Sequence, residues 1–303
     1  MKLLKYLSIV DVINFSFWLV MFVFYIITFD QSQYKVYAFV LLASLLIFQL
    51  IILKLRATDK SNIFIKGVLL LYPILYLIFV FDSIHTVLPY INPNIYDKLL
   101  ADIDYSILGT NPTVAIERII NPYLTELMYY LYLFYFPMPL IILIWLYRKK
   151  MYIQLDKTLM FYMLTYYGSY LMYFAVPALG PRYYEPIASM QQVPLDGLWF
   201  TGIIRDTINS LEHNKFDAFP SLHAAITLTT LLVVAQYRKK WLYIFIPVFI
   251  GIYVSLIYCR YHYFIDIIGG VIWTLIAYWI VEKSYDKYIR KKFIPFCNCN
   301  HSD

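Results

Sequence analysis

Charge is scarce in this chain. Aspartate, glutamate, lysine and arginine make up 15% of 303 residues and hydrophobic residues 61%, where a soluble domain carries about 25% and about 45–50%. That shortage excludes an ordinary soluble globular protein. The apolar stretches also lack any alternation of polar and apolar residues, which excludes a transmembrane β-barrel. Cysteine is limited to Cys259, Cys297 and Cys299, too few and too unevenly placed for a disulfide framework. There is no internal repeat and no low-complexity segment. A cleavable leader is not expected either. Residues 1–5 are basic, but the apolar run behind them is long enough to span and has no small-residue cleavage site after it.

What the chain has in abundance is apolar blocks of about 20 residues, the length of helix that crosses about 30 Å of hydrocarbon. Eight candidate spans follow: Ser8–Phe29, Val36–Leu53, Ile63–Phe81, Leu124–Leu146, Thr158–Val176, Phe219–Val234, Trp241–Cys259 and Phe264–Val281. A mixed stretch, 82–123, reads as interfacial turns and short helices, and a second stretch, 180–218, reads as a polar loop. The expected fold is an all-α polytopic membrane protein of about eight transmembrane helices. Its expected organisation is two amino-terminal spans (1–62), a six-helix catalytic core with interfacial helices (63–282) and a basic tail (283–303).

Short loops rich in lysine and arginine stay in the cytoplasm. With the amino terminus inside, 18 of the 25 basic residues collect on the inner side, in clusters such as Arg148-Lys149-Lys150 and Arg238-Lys239-Lys240. The outer side keeps Lys35, Lys98, Arg118, Arg182, Arg205, Lys215 and Arg260. The net charge of +6 is therefore read as topology and attraction to anionic headgroups, not as nucleic-acid binding.

Two short segments on the outer face carry the chemistry. In Phe216-Asp217-Ala218-Phe219-Pro220-Ser221-Leu222-His223, proline sits where a helix starts, and the free N–H groups of a first turn favour an anion. His223 is then in reach of that anion as an acid or base. In Arg260-Tyr261-His262-Tyr263-Phe264-Ile265-Asp266, His262 and Asp266 are spaced i and i+4, on one helix face. A carboxylate on one ring nitrogen leaves the other nitrogen basic.

Each residue has a plainer reading. A single histidine at a membrane boundary is ordinarily an interfacial polar residue, and Asp266 could be a structural partner of His262 or Arg260, although an intramembrane aspartate is a functional candidate by default. Arg182 could snorkel from the fifth span or clamp a phosphate. Arg260 has the same two readings, since a guanidinium fork suits phosphate oxygens. His85 and His213 read as loop residues. The tail Cys297-Asn298-Cys299-Asn300-His301 holds metal-ligand residue types but no full ligand set at the usual spacing, and no metal and no cofactor are expected, since arginines, helix dipoles and backbone donors can stabilise phosphoryl oxygens. Tyr261 and Tyr263 read first as core packing.

The segments FPSLH and RYHYFIDIIGG resemble the second and third signatures of the type 2 phosphatidic acid phosphatase superfamily of membrane lipid phosphatases and phosphotransferases. The wording PSLH with HYFID is similar to the inositol phosphorylceramide synthase branch, as is Asp104-Tyr105-Ser106-Ile107-Leu108-Gly109-Thr110-Asn111-Pro112. The resemblance covers residues 82–281. It implies His262 as nucleophile, Asp266 as its orienting carboxylate, and His223 as the acid and then base. It also implies Ser221 with its neighbouring backbone as phosphate ligands. Departures accompany it. In the first signature Ala175 stands where lysine is expected and Tyr183 follows Arg182. In the third, Ser255 matches but Leu256 replaces arginine, a charge that Arg260 could replace.

Three functions fit. A phosphotransferase would move a phosphorylated head group, phosphoinositol first among them, from a phospholipid donor to a ceramide-like hydroxyl. A hydrolase would use water instead. A carrier would need helix breaks in matching halves or buried charge away from the histidines, and neither is expected here. The imperfect phosphate clamp favours transfer, because a phosphodiester presents less charge than a monoester.

Overall fold

The computed structural model describes residues 6–57, 63–211 and 215–289, and every regular element among them is helical. In chain order these are α1 (Ile9–Thr28), α2 (Lys35–Ala57), α3 (Ile63–Ile84), α4 (Leu88–Ile91), α5 (Asp97–Leu108), α6 (Pro112–Ala115) and α7 (Pro122–Phe134). There follow α8 (Pro137–Arg148), α9 (Tyr152–Ala175), α10 (Glu185–Ala188), α11 (Thr201–Leu211), α12 (Leu222–Tyr237), α13 (Leu242–Tyr258) and α14 (Phe264–Ser284). The tail cluster around Cys297 and His301, and His213, lie outside the described residues.

All eight expected spans are helical, and the chain is an all-α polytopic membrane protein. Among the described residues, five helices are long and apolar enough to cross a membrane, or six if the bent pair α7 and α8 is one span. The other two expected spans are α9, whose first turns carry Asp156 and Lys157, and α12, which has only 16 residues. The fourth span bends by 43° between α7 and α8. Pro137 causes this, since it lacks an N–H and disfavours helical geometry at Phe136.

The chain forms two compact units. The first combines residues 1–91, 143–167 and 277–303, and the second residues 92–142 and 168–276. In the first unit, Ser8 caps α1 in a capping box with Asp11. Asp11 also pairs with Arg56 and accepts from Tyr72 Oη at 2.6 Å and Gln49 Nε2 at 2.7 Å. Asp11 and Arg56 are 0% and 2% exposed. The expectation of no buried charge away from the histidines is therefore corrected. The pair lies at the meeting of the first turn of α1 with the last of α2, where hydrogen bonds to both charged groups make burial tolerable.

The second unit contains every candidate site residue. Its interfacial helix α5 ends at Gly109, whose φ of 67° is the left-handed turn that terminates a helix. Further along, Thr125 Oγ1 meets Tyr258 Oη at 2.8 Å, which fixes the start of α7 against the end of α13.

Candidate active site

Ser221 caps α12, its hydroxyl accepting from Ala224 N–H at 3.2 Å, which presents His223 from the helix's first turn. The next helix pair turns back through residues 259–263. Arg260 adopts φ 64° and the Tyr261 and His262 N–H groups both return to the Leu256 carbonyl at 3.1 and 3.2 Å. A left-handed residue closing a helix is ordinarily glycine. Here an arginine does it, and the turn delivers His262 toward α12.

The two histidines meet. His262 Nε2 lies 3.5 Å from His223 Nδ1. His262 Nδ1 lies 3.0 Å from the Ala218 carbonyl and 3.5 Å from Asp266 Oδ2. A carbonyl only accepts, so the Nδ1 proton is fixed there and Nε2 keeps its lone pair toward His223. Asp266 is fully buried, and its Oδ2 accepts the Tyr263 N–H at 2.7 Å. Its main-chain carbonyl accepts the Ser221 N–H at 2.9 Å, tying the two histidine segments together. Burial pushes His262 down to about 3, with the positive charge of Arg182 adding to the effect against the Ala218 bond. The ring is therefore neutral at physiological pH.

Close backbone approach makes this meeting possible. A Cβ on Gly270 would stand 2.5 Å from the Ser221 carbonyl oxygen, and one on Gly269 would stand 2.8 Å from the Phe219 ring. The paired glycines of α14 are thus contact surface for the FPSLH turn. Likewise Gly180, at φ 84°, would bring a Cβ within 2.6 Å of the Tyr261 carbonyl.

The candidate cations differ in placement. Arg182 is sandwiched, its guanidinium 4.0 Å from the Tyr261 ring centre and 4.4 Å from Tyr183, and it donates to Asn209 at 2.9 Å. Tyr261 in turn stacks on Tyr132 at 4.3 Å, and Tyr132 on His223 at 4.6 Å. One continuous stack thus runs from Arg182 to the histidine pair. Arg260 instead forms an ion pair with Glu117 at 2.6 Å and donates to the Val193 carbonyl at 2.5 Å. Its guanidinium is thereby paired within this loop, away from the Arg182 stack.

Several contributors escaped the sequence reading. Asp104 of α5 accepts the N–H groups of Phe264 and Ile265 at 2.7 and 2.8 Å, capping α14 from outside. Asp97, two turns earlier, accepts from Leu179 and Gly180 N–H, both at 2.8 Å, and from Tyr263 Oη at 2.9 Å. One helix thereby grips the arginine loop and the histidine turn together. The seven-residue spacing of Asp97 and Asp104, which puts both on one face of α5, was the available signal, shared with Lys98 and Asp102 between them. Tyr132 and Tyr135, the latter 4.2 Å from His223, had none, being two among 32 tyrosines.

A neutral buried histidine thus faces a second histidine, with a carboxylate behind it and Arg182 at the far end of the aromatic stack. The sequence model of the PAP2 superfamily matches residues 107–280, more than half the chain, and the chain belongs to that superfamily. Its enzymes transfer or hydrolyse the phosphate of lipids. The chain is 26% identical over 131 residues to a PA-phosphatase related-family protein of Dictyostelium discoideum, covering 41% of this chain and 23% of that one. It is 30% identical over 166 residues to phosphoinositol dihydroceramide synthase of Bacteroides thetaiotaomicron, covering 50% of this chain and 53% of the synthase. The chain thus spans about a quarter and about half of these curated relatives. No solved structure matches it.

Proposed function

We propose that this protein is a lipid phosphotransferase that moves a phosphorylated head group, phosphoinositol in the first instance, from a glycerophospholipid to the hydroxyl of a ceramide-like lipid. The observation that carries the chemistry is the 3.5 Å approach of His262 Nε2 to His223 with Nδ1 of His262 held from behind. In the first half, His262 Nε2 forms a bond to phosphorus and the phosphorus–oxygen bond to diacylglycerol breaks. His223, whose Nδ1 faces His262 Nε2 at 3.5 Å, supplies from Nδ1 the proton that the leaving oxygen takes. In the second half, His223 takes the proton of the acceptor hydroxyl, the new phosphorus–oxygen bond forms, and the phosphorus–nitrogen bond breaks. Asp266 and the Ala218 carbonyl stabilise the charge that His262 acquires. Arg182 and the first-turn N–H groups behind Ser221 face the phosphate oxygens.

The likeness to the Bacteroides synthase supports transfer to a ceramide-like acceptor, and the lysine and arginine distribution supports a cytoplasmic amino terminus with the histidines on the opposite side. The likeness to the phosphatase-related protein favours a second reading, the same first half with water as acceptor. The two separate in one assay. Purified protein receives phosphatidylinositol with and without labelled ceramide and, in a parallel arm, phosphatidate, each beside His262→Ala. An inositol-phosphate-bearing ceramide lost in the variant supports transfer. Free phosphate from phosphatidate without that lipid supports hydrolysis, and absence of both products refutes the enzymatic assignment of the pair.

A further inference from the structure

Within the second unit, a cluster of exposed apolar side chains stands at the start of α11. Trp199, Phe200 and Ile203 are 75%, 53% and 64% exposed. They are not loosely held. Glu126 of α7 accepts the N–H groups of Leu198, Trp199, Phe200 and Thr201 at 2.9, 3.2, 2.9 and 3.3 Å, and the Thr201 hydroxyl at 2.7 Å. A Cβ at Gly197 would stand 2.6 Å from the same carboxylate. The turn is thus built to hold a tryptophan and a phenylalanine outward.

Their surroundings identify what covers them. Tyr123, Leu127 and Tyr130, spaced i, i+4 and i+7, are 75%, 50% and 40% exposed on the face of α7 that carries Glu126. On a helix of a membrane span such a stripe faces lipid, and the knot at Trp199 continues it. Depth agrees. Glu126 lies six residues before Tyr132, which stacks on His223, so the knot lies about 9 Å further along the axis than that stack. The 16 residues of α12 rise only about 24 Å against about 30 Å of hydrocarbon. His223, in its first turn, is thereby set at or below the hydrocarbon edge, and the knot at headgroup level, where tryptophan is favoured.

We propose that Trp199, Phe200 and Ile203 insert into the interface of the bilayer leaflet on the histidine side, and that this seat sets the depth of the His223–His262 pair against the phosphate plane of its lipid substrates. The second clause rests on the lipid-phosphate reading of the site; the first does not. The test uses the full chain in phosphatidylcholine nanodiscs. The protein has six tryptophans, so the Trp199 signal is the difference between wild type and Trp199→Phe. Quenching of that difference by lipids brominated near the headgroup end of the chain, and not by aqueous iodide, is expected. Quenching by iodide alone places the knot in water, and quenching by neither places it against another protein copy; each overturns the proposal. The depth role is read from Trp199→Ser with Phe200→Ser. KM for a lipid phosphate presented in bilayers should rise severalfold while turnover of a short-chain, monomeric phosphate ester stays unchanged. An unchanged KM in bilayers overturns that role, and no turnover of either substrate by wild type would instead fault the enzymatic reading, leaving the quenching result standing.

Discussion

Asp104 offers a sharp perturbation because it touches neither histidine. Its carboxylate is fully buried and accepts two backbone N–H groups, from Phe264 and Ile265, at the start of the helix that carries Asp266. Replacing it by alanine leaves both donors without their acceptor, at about 1–3 kcal/mol each when no water substitutes. Burial holds the Asp104 carboxyl above its usual range, so part of the gain from these bonds is already offset by desolvation, and the net loss should be near 3 kcal/mol. Expressed wholly as loosening of the α14 start, that would lower the equilibrium constant holding His262 and Asp266 in register by about a hundredfold. Amide hydrogen exchange at residues 264 and 265 should accelerate strongly in Asp104→Ala, kcat should fall one to two orders of magnitude, and KM should change little. Asp104→Asn keeps one acceptor oxygen and should recover part of both. Wild-type exchange at these two amides together with wild-type turnover would refute the capping role.

Three further expectations follow from the geometry. Gly270→Ala places a Cβ 2.5 Å from the Ser221 carbonyl; overpacking of this kind costs about 1–3 kcal/mol, and turnover should drop, whereas Gly67→Ala, with nothing within 4 Å, should be neutral in the same turnover and thermal-stability measurements. His262 has its pKa lowered to about 3 in the fold, from 6.5, so the unfolded chain binds a proton that the folded chain refuses between those values; the corresponding stability is full above pH 6.5 and is lost as pH falls toward 3. Detergent-solubilised protein should accordingly melt at lower temperature as pH drops through that window, and His262→Gln should flatten the dependence. Arg182→Lys keeps the charge but not the flat stack between Tyr183 and Tyr261; kcat/KM should fall for lysine and further for alanine, and a lysine variant equal to wild type would show that the stack is dispensable.

Membrane class, helical architecture and the two segments whose histidines meet were legible in the sequence because each depends on local facts. An apolar run of about 20 residues has no stable alternative to a helix in lipid, and the i, i+4 spacing of His262 and Asp266 needs only one helix. The broken fourth span and the true start of α12 were not so legible, because Pro137 and the Ser221 cap act on backbone geometry that hydropathy does not register. Tertiary structure alone decided which carboxylates matter. Asp97 and Asp104 read as a scatter of acids until folding brought four backbone N–H groups, more than 70 residues away, onto one face of α5. It also decided between two arginines of identical chemistry. Arg260 found Glu117, 143 residues distant, and spent its charge there, while Arg182 was stacked on the ring next to the histidine. Sequence supplies the donors and charges, but partners so distant along the chain are chosen only when the helices pack.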